Sequence, residues 1–429
     1  MERKKCNVCG CEKYTELLNL GKHPLADTFL KIENRDSPEI CYPLVLVECD
    51  SCSHVFTKFH VSPEERYIDN DYSYDSSNSP VAEEHFKEFA DHIFTTYSDI
   101  FEIGARCRIL DIGSNVGTLL GYLKEYPNID VVGIEPSSNI AEIANQRSIE
   151  TLCELFGRRL IEKDLVSPNS MDIVVSTNVV NHIDDLDEMM ITIDKVGTSE
   201  LMFAFEVPYL LDILRQNSFD TIYHEHVNYF SIRSIKKLLK RVKFSLIHIE
   251  MIDYMGGSIR IYAVRDKDVL RAKVSSAVLG FQEAEDNYFH ENPDWRNALR
   301  ANVLRIKRNL LAFVHSAIER GYKICAVGAA TKGNTLLNYC GLDKDTVEVC
   351  CDVSSLKVGK VLPGSGIPVI HDDELGPGWN YAIVLPWNLS DYLQNKFIDS
   401  GMELIFPIQG VPLIKGEENE NGSSASAQR

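Results

Sequence analysis

From Arg108 onward the chain alternates short apolar runs with longer stretches of helical spacing. The runs RILDIG, VVGIEP, MDIVVSTN and ELMFAFEVP have the length and β-branched content of strands buried on both faces. Strands alternating with helices build βαβ units and a doubly wound sheet. FSLIHIEMID and SIRIYAV, joined through Met255-Gly256-Gly257, read as a closing hairpin. A long helical stretch, about 268–320, leads into a second alternating set with strands in YKICAVGA, VEVCCDV, YAIVLP and ELIFPI. Upstream the pattern differs. A helix is predicted from about Pro80 to Ser98, after a polar, tyrosine-rich loop over 66–80. The first 65 or so residues hold only turns and short β-like runs such as YPLVLVEC. The closing GEENENGSSASAQR has no core-forming residues and reads as a disordered tail.

Composition narrows the classes. The 429 residues carry 44 Lys+Arg against 63 Asp+Glu, a net charge of −19. That balance argues against a nucleic-acid polymer as partner, because phosphate binding needs a basic face. It leaves room for a small anionic substrate, which needs only a few local cations. No apolar run approaches the roughly 18 residues that span a bilayer, and MERKKCNVCG shows no apolar signal segment. A cytoplasmic protein with no membrane partner is the expectation.

Twelve cysteines sharpen it. In a reducing compartment, closely spaced pairs favour metal over disulfides. Cys6-x2-Cys9 and Cys49-x2-Cys52 both fall in the short first unit. Four thiolates can hold Zn²⁺ tetrahedrally, and a unit with so little core gains folding free energy from the metal. A closed structural zinc site is expected, with Cys11 or His54 as substitutes for one ligand.

The first strand of the middle set runs into Asp111-Ile-Gly113-Ser-Asn-Val-Gly117. Glycines between a first strand and its helix let a ligand approach the backbone. An acid at the start of the loop repels a pyrophosphate and suits a cationic ligand. Methyltransferases that use S-adenosylmethionine (SAM) show this kind of loop. The second strand ends at Glu135, where an acid can accept from both ribose hydroxyls. Asn178 and His182 follow the third strand, where sheet ends line the crevice of an open α/β fold.

The densest chemistry is in Phe219-Asp-Thr-Ile-Tyr223-His224-Glu225-His226-Val-Asn-Tyr229-Phe230-Ser231. A zinc-protease motif would need His at 228, where the chain has Asn228. A histidine general base, oriented or assisted by Tyr and Glu, is the better reading.

These motifs together resemble the SAM-dependent sugar C-methyltransferases, the group that includes nucleotide-sugar C-3′-methyltransferases. The resemblance covers nearly the whole chain: the four cysteines, then DIGSNVGTLL and FDTIYHEHVNYFS, then GAATKGNTLLNYC and LPWN. It implies an α/β chain of three domains. They are a zinc-binding domain over 1–68, a class I SAM methyltransferase domain over 69–267 and a Rossmann-like domain over 268–414, with a tail over 415–429. The implied substrate is a nucleotide-linked 4-keto-deoxysugar, deprotonated beside its ketone and methylated on the enolate carbon. By match of positions, His226 is the base, Tyr223 and Glu225 position it or the enolate oxygen, and His182 lies near the sugar. Tyr74, or failing that Tyr72, closes over the sugar. In the last domain the loop Gly328-Ala-Ala-Thr-Lys332-Gly333-Asn334 opens a helix, whose N-terminus and Lys332 suit a diphosphate. Two positions depart from the family pattern. Val116 stands where relatives commonly carry an acid, and Met255 where the hairpin often has His. An O- or N-methyltransferase and a non-catalytic zinc-bearing scaffold are the competing readings.

Overall fold

A computed structural model describes residues 1–68, 72–77, 79–102 and 106–412. The tail read at 415–429 lies outside the described residues. Among those described, three sheets and a two-stranded ribbon organise the chain.

The first unit is built on the antiparallel strands Tyr14–His23, Tyr42–Cys49 and Val55–Thr57. Its outer strand comes from far along the chain. Asn228–Tyr229 pairs with Val55 and Phe56. The central strand alternates faces, as any strand must. Leu44 and Leu46 pack in one core with Leu336, Leu337 and Ile383 of the last domain. Val45 and Val47 pack in another with Phe203, Phe205 and Phe230 of the middle domain. Both faces are buried against different partners, which is why YPLVLVEC reads as one continuous apolar run. Leu30–Lys31 adds a short ribbon to Lys360–Val361. The N-terminal unit is therefore the wedge on which the two α/β domains meet.

The middle sheet has seven strands in the order Phe244–Ile252, Ser258–Arg265, Gly197–Pro208, Met171–Thr177, Cys107–Ile112, Ile129–Ile134, Thr151–Leu152. The last five are parallel, and Ser258–Arg265 runs against both of its neighbours. Chain order reverses at Cys107–Ile112, whose neighbours are the second and the fourth parallel strand. Ligands bind outside the carboxyl ends of strands at such a switch point. Gly113 there has φ 68°, and a Cβ on it would lie 2.4 Å from Val179.

The last domain holds five parallel strands in the order Val369–His371, Cys350–Asp352, Ile324–Val327, Tyr381–Val384, Glu403–Ile405. It has its own switch point at Ile324–Val327. The long helical stretch predicted before it is a short helix, Val269–Ala272, and two longer ones, Ala277–Glu291 and Trp295–Glu319, the latter pair nearly continuous. Asn292-Pro293 breaks them, because proline lacks an amide hydrogen and disfavours helical backbone in the residue before it. No helix among the described residues is long and apolar enough to cross a membrane.

Candidate active site

The two switch points open into one cavity of about 920 Å³. It runs from Asp111, Gly113 and Glu135 past His182, Tyr223, Glu225 and His226 to Gly328, Lys332 and Asp352.

At the middle-domain end, Asp111 is buried at the tip of its strand, and one of its carboxylate oxygens has no partner. Burial, reinforced by Glu135, pushes its carboxyl well above the usual range. An orphaned buried acid of this kind suits a cationic ligand. Glu135 accepts from the Ser137 amide at 2.9 Å and the Asn115 amide at 3.2 Å. Burial nevertheless lifts it to about 7. Asn178 has left-handed backbone, φ 55°, and neither atom of its buried side-chain amide has a partner. Asp111, Gly113, Glu135 and Asn178 all line the cavity, whereas Gly117 caps the following helix from behind. Val116 is buried and outside the lining.

A tyrosine-bearing segment, 72–77, crosses over this loop. Asn115 donates to the Tyr74 carbonyl at 3.0 Å and accepts from the Ser76 amide at 2.9 Å, while Asn139 donates to the Tyr72 carbonyl at 3.0 Å. The Tyr74 hydroxyl meets that of Tyr254 at 2.9 Å, and burial raises Tyr74 to about 12. Both Tyr72 and Tyr74 face the cavity.

In the centre, His226 is held at both ring nitrogens. Nδ1 lies 2.9 Å from the Thr221 carbonyl, and Nε2 lies 2.6 Å from the Tyr223 hydroxyl. A carbonyl only accepts, so Nδ1 carries the hydrogen and Nε2 receives the Tyr223 hydroxyl. Burial lowers His226 to about 3, leaving the ring neutral at pH 7. The His182 ring lies 4.9 Å from that of His226; its Nδ1 meets the Tyr67 hydroxyl at 3.0 Å and its Nε2 is unpartnered. Glu225 accepts from the Asp27 amide at 3.3 Å, has one free carboxylate oxygen, and is raised to about 7 by burial and by Asp27. His224 points away and packs edge-on to Tyr42.

At the far end the Gly328–Lys332 loop opens the helix Thr331–Cys340, as the sequence predicts. Lys332 reaches the cavity, gives its ammonium to the Asn388 side-chain oxygen and lies 4.2 Å over the Trp387 ring. Asn334 is turned the other way. It donates to the Ala26 carbonyl at 2.7 Å and is not part of the lining.

Away from the cavity, the sulfurs of Cys6, Cys9, Cys49 and Cys52 lie within 4.8 Å of one another. That spacing fits one tetrahedral ion. Cys11 stands outside the group. His54 is committed to Asn228, at 3.1 Å.

Three family models match the chain, one after another. Residues 6–67 match a zinc-binding domain family, 82–249 the methyltransferase domain family and 253–409 the C-methyltransferase C-terminal domain family. C-methyltransferase NovU of Streptomyces niveus is 28% identical over 421 residues, 96% of this chain and 97% of that one. Together the three matches span most of the chain, and with this relative they mark it as a SAM-dependent C-methyltransferase. Two solved structures are similar to part of the chain. Magnesium protoporphyrin IX methyltransferase of Synechocystis PCC 6803 with bound SAH is similar over 45% of this chain and 90% of its own, at 14% identity and TM-score 0.34. The PH0226 protein of Pyrococcus horikoshii OT3 is similar over 45% and 95%, at 14% identity and TM-score 0.36.

This C-methyltransferase uses SAM and a structural zinc. Asp111 and Glu135 have the chemistry to hold the first, and the four thiolates the second. Several cavity residues carried no signal in the sequence. Asp27 accepts from the Ser73 amide and hydroxyl at 3.0 and 2.7 Å and from Thr331 at 2.8 Å, tying three domains together. Arg66 pairs with Asp184 and donates to the His182 carbonyl at 3.1 Å. Tyr254 stacks on His85 with ring centroids 3.9 Å apart. Each is a lone residue in its own segment and joins the site only through tertiary packing.

Proposed function

We infer that this C-methyltransferase acts on a nucleotide-linked 4-keto-deoxysugar, removing the proton on the carbon next to the ketone and methylating the enolate carbon. The observation that carries the reading is the His226–Tyr223 pair. A neutral, doubly anchored histidine stands midway between a SAM loop and a second Rossmann-like crevice. Its Nε2 takes the proton, directly or by relay through the Tyr223 hydroxyl. Glu225 and His182 flank it, with a free carboxylate oxygen and a free ring nitrogen for the sugar. Tyr74, with Tyr72 behind it, covers the sugar from the segment that also lies on Asn115. The ionisable groups of Tyr223, Glu225 and His226 are buried, so their dipoles act more strongly than they would in solvent.

SAM, when bound, supplies an activated methyl group on a sulfonium. The protein's part there is alignment: Asp111 offers countercharge, Glu135 takes the ribose hydroxyls, and Asn178 supplies amide donors and acceptors. The nucleotide lies in the last domain's crevice, its diphosphate at the Gly328–Lys332 loop and the helix N-terminus, and its sugar reaching back to His226. Met255 has left-handed backbone, φ 56°, beside Gly256, so the hairpin tip is a turn and contributes shape more than charge to the sugar pocket.

Solvent deuterium tests the reading. Wild-type protein without SAM washes deuterium into the substrate beside its ketone. No exchange, together with an O-methylated product, would refute it.

A further inference from the structure

The base accounts for the proton but not for the charge left behind. When the carbon beside a ketone loses its proton, the C–H pair becomes a C=C bond and the carbonyl π pair moves to oxygen. That oxygen needs a cation or a strong donor at the moment the charge arrives. Tyr223 is already committed to Nε2 of His226, and Arg66 to Asp184.

The lysines of the cavity divide by what they face. Lys396 is paired with Asp372. Lys357 donates to the Ala329 carbonyl at 2.9 Å, on the phosphate loop itself. Lys332 differs from both. Its hydrogen-bond partner is a neutral amide, Asn388, which leaves two N–H groups to give. Its stem is fixed on the Trp387 ring. Trp387 donates its indole N–H to Asp220 at 2.7 Å, and a Cβ on Gly256 would lie 2.8 Å from the same ring. Asp220 is buried, with its other oxygen unpartnered, and directly precedes Thr221, the residue whose carbonyl anchors His226. Lys332 and Asp220 attract each other, and the ammonium also helps to keep the His226 ring uncharged. The lysine that opens a helix of the last domain thus points toward the reacting end of the middle domain.

We propose that Lys332 is a catalytic residue of the proton-abstraction step, its ammonium donating to the ketone oxygen and holding the negative charge that forms there as His226 takes the proton. When the carbon takes the methyl group, the oxygen's electron pair re-forms the carbonyl and Lys332 keeps its own protons throughout. Trp387, Asn388 and Asp220 are positioning residues that aim it. The assignment rests on the keto-sugar reading above. It moves Lys332 from the diphosphate to the reacting end and leaves the loop backbone and Lys357 to the phosphates.

The test compares Lys332→Met with wild type in deuterium exchange beside the ketone without SAM, in methyl transfer, and in calorimetric affinity for the bare nucleoside diphosphate and for SAM. Lys332→Met leaves Asp220 without its cation, so the double variant Asp220→Asn, Lys332→Met is measured alongside; it removes both buried charges and guards against misfolding. We expect exchange and transfer to fall roughly 100-fold in both variants. Affinities for SAM and nucleoside diphosphate should stay within about twofold. Exchange near the wild-type rate, with nucleoside diphosphate bound about tenfold more weakly, overturns the assignment and makes Lys332 a phosphate ligand. Absence of exchange in wild type, together with an O-methylated product, is a separate result; it overturns the keto-sugar reading and this assignment with it.

Discussion

The surroundings of His226 suit it to the proposed role of base. Burial holds its ring neutral down to about pH 3, so it needs no deprotonation to begin work at neutral pH. Replacing it with Asn keeps a polar group against Thr221 but removes the proton acceptor. His226→Asn should lower methyl transfer by about 10²- to 10⁴-fold. SAM binding by calorimetry should persist; near-normal turnover would reject the assignment. The acidic limit comes from the carboxylates instead. Glu135 is raised to about 7, and its ionised form is the stronger acceptor for ribose hydroxyls. Its charge is absent below the folded pKa and present above it, so SAM should bind more tightly at pH 8 than at pH 6. Calorimetry across that range should show the trend in wild type and lose it in Glu135→Gln; a slope unchanged in the variant would assign the titration elsewhere. At this scale the sequence was informative where reactive residues were consecutive. Tyr223, Glu225 and His226 stand in one run, and Asp111 opens a glycine loop. Asp27, Arg66 and Tyr254 are single residues in unrelated segments, and nothing local distinguishes them from surface polar groups or packing aromatics.

Strands and loops tie the zinc site to the chemistry. The Val55–Thr57 strand follows Cys52 closely and carries Asn228–Tyr229 on its edge, two residues beyond His226. Asn228 accepts from Asn7 at 2.8 Å and donates to the Ile183 carbonyl at 2.8 Å, next to His182. Cys49→Ser should therefore cost both metal and activity. Elemental analysis should find about one zinc per wild-type chain and little in the variant, with a lower thermal midpoint and slower methyl transfer. A stable, fully active, metal-free protein would refute the structural role. The glycine loop makes a second prediction. Gly113 has φ 68° and Val179 2.4 Å from where a Cβ would stand. Gly113→Ala should cost more than about 1 kcal/mol in denaturant unfolding and weaken SAM; unchanged stability would show that the loop can shift. Elements with a strong period or a continuous apolar run were legible. The strand over Tyr42–Cys49 and the hairpin are examples. Val369–His371 and Lys360–Val361 were not, because strands of two or three residues are readable only inside a longer apolar run, as Cys350–Asp352 is. The helix break was available in Asn292-Pro293, but the helical spacing on both sides of it hid the interruption.

Across the whole molecule, the N-terminal sheet buries one face on each α/β domain and so sets how their switch points face each other. That geometry puts the glycine loop with Asp111, the proposed base His226 and a lysine-bearing crevice around one cavity. Composition could announce none of it, because the arrangement depends on residues hundreds of positions apart, such as Asp27 with Thr331 and Asp220 with Trp387. Throughout, a carbon atom receives the methyl group. The most direct measurement is NMR of the product formed from a nucleotide-linked 4-keto-deoxysugar and SAM labelled with carbon-13 in its methyl group. The labelled methyl should couple to a sugar carbon adjacent to the ketone. A labelled methyl on oxygen or nitrogen would contradict it.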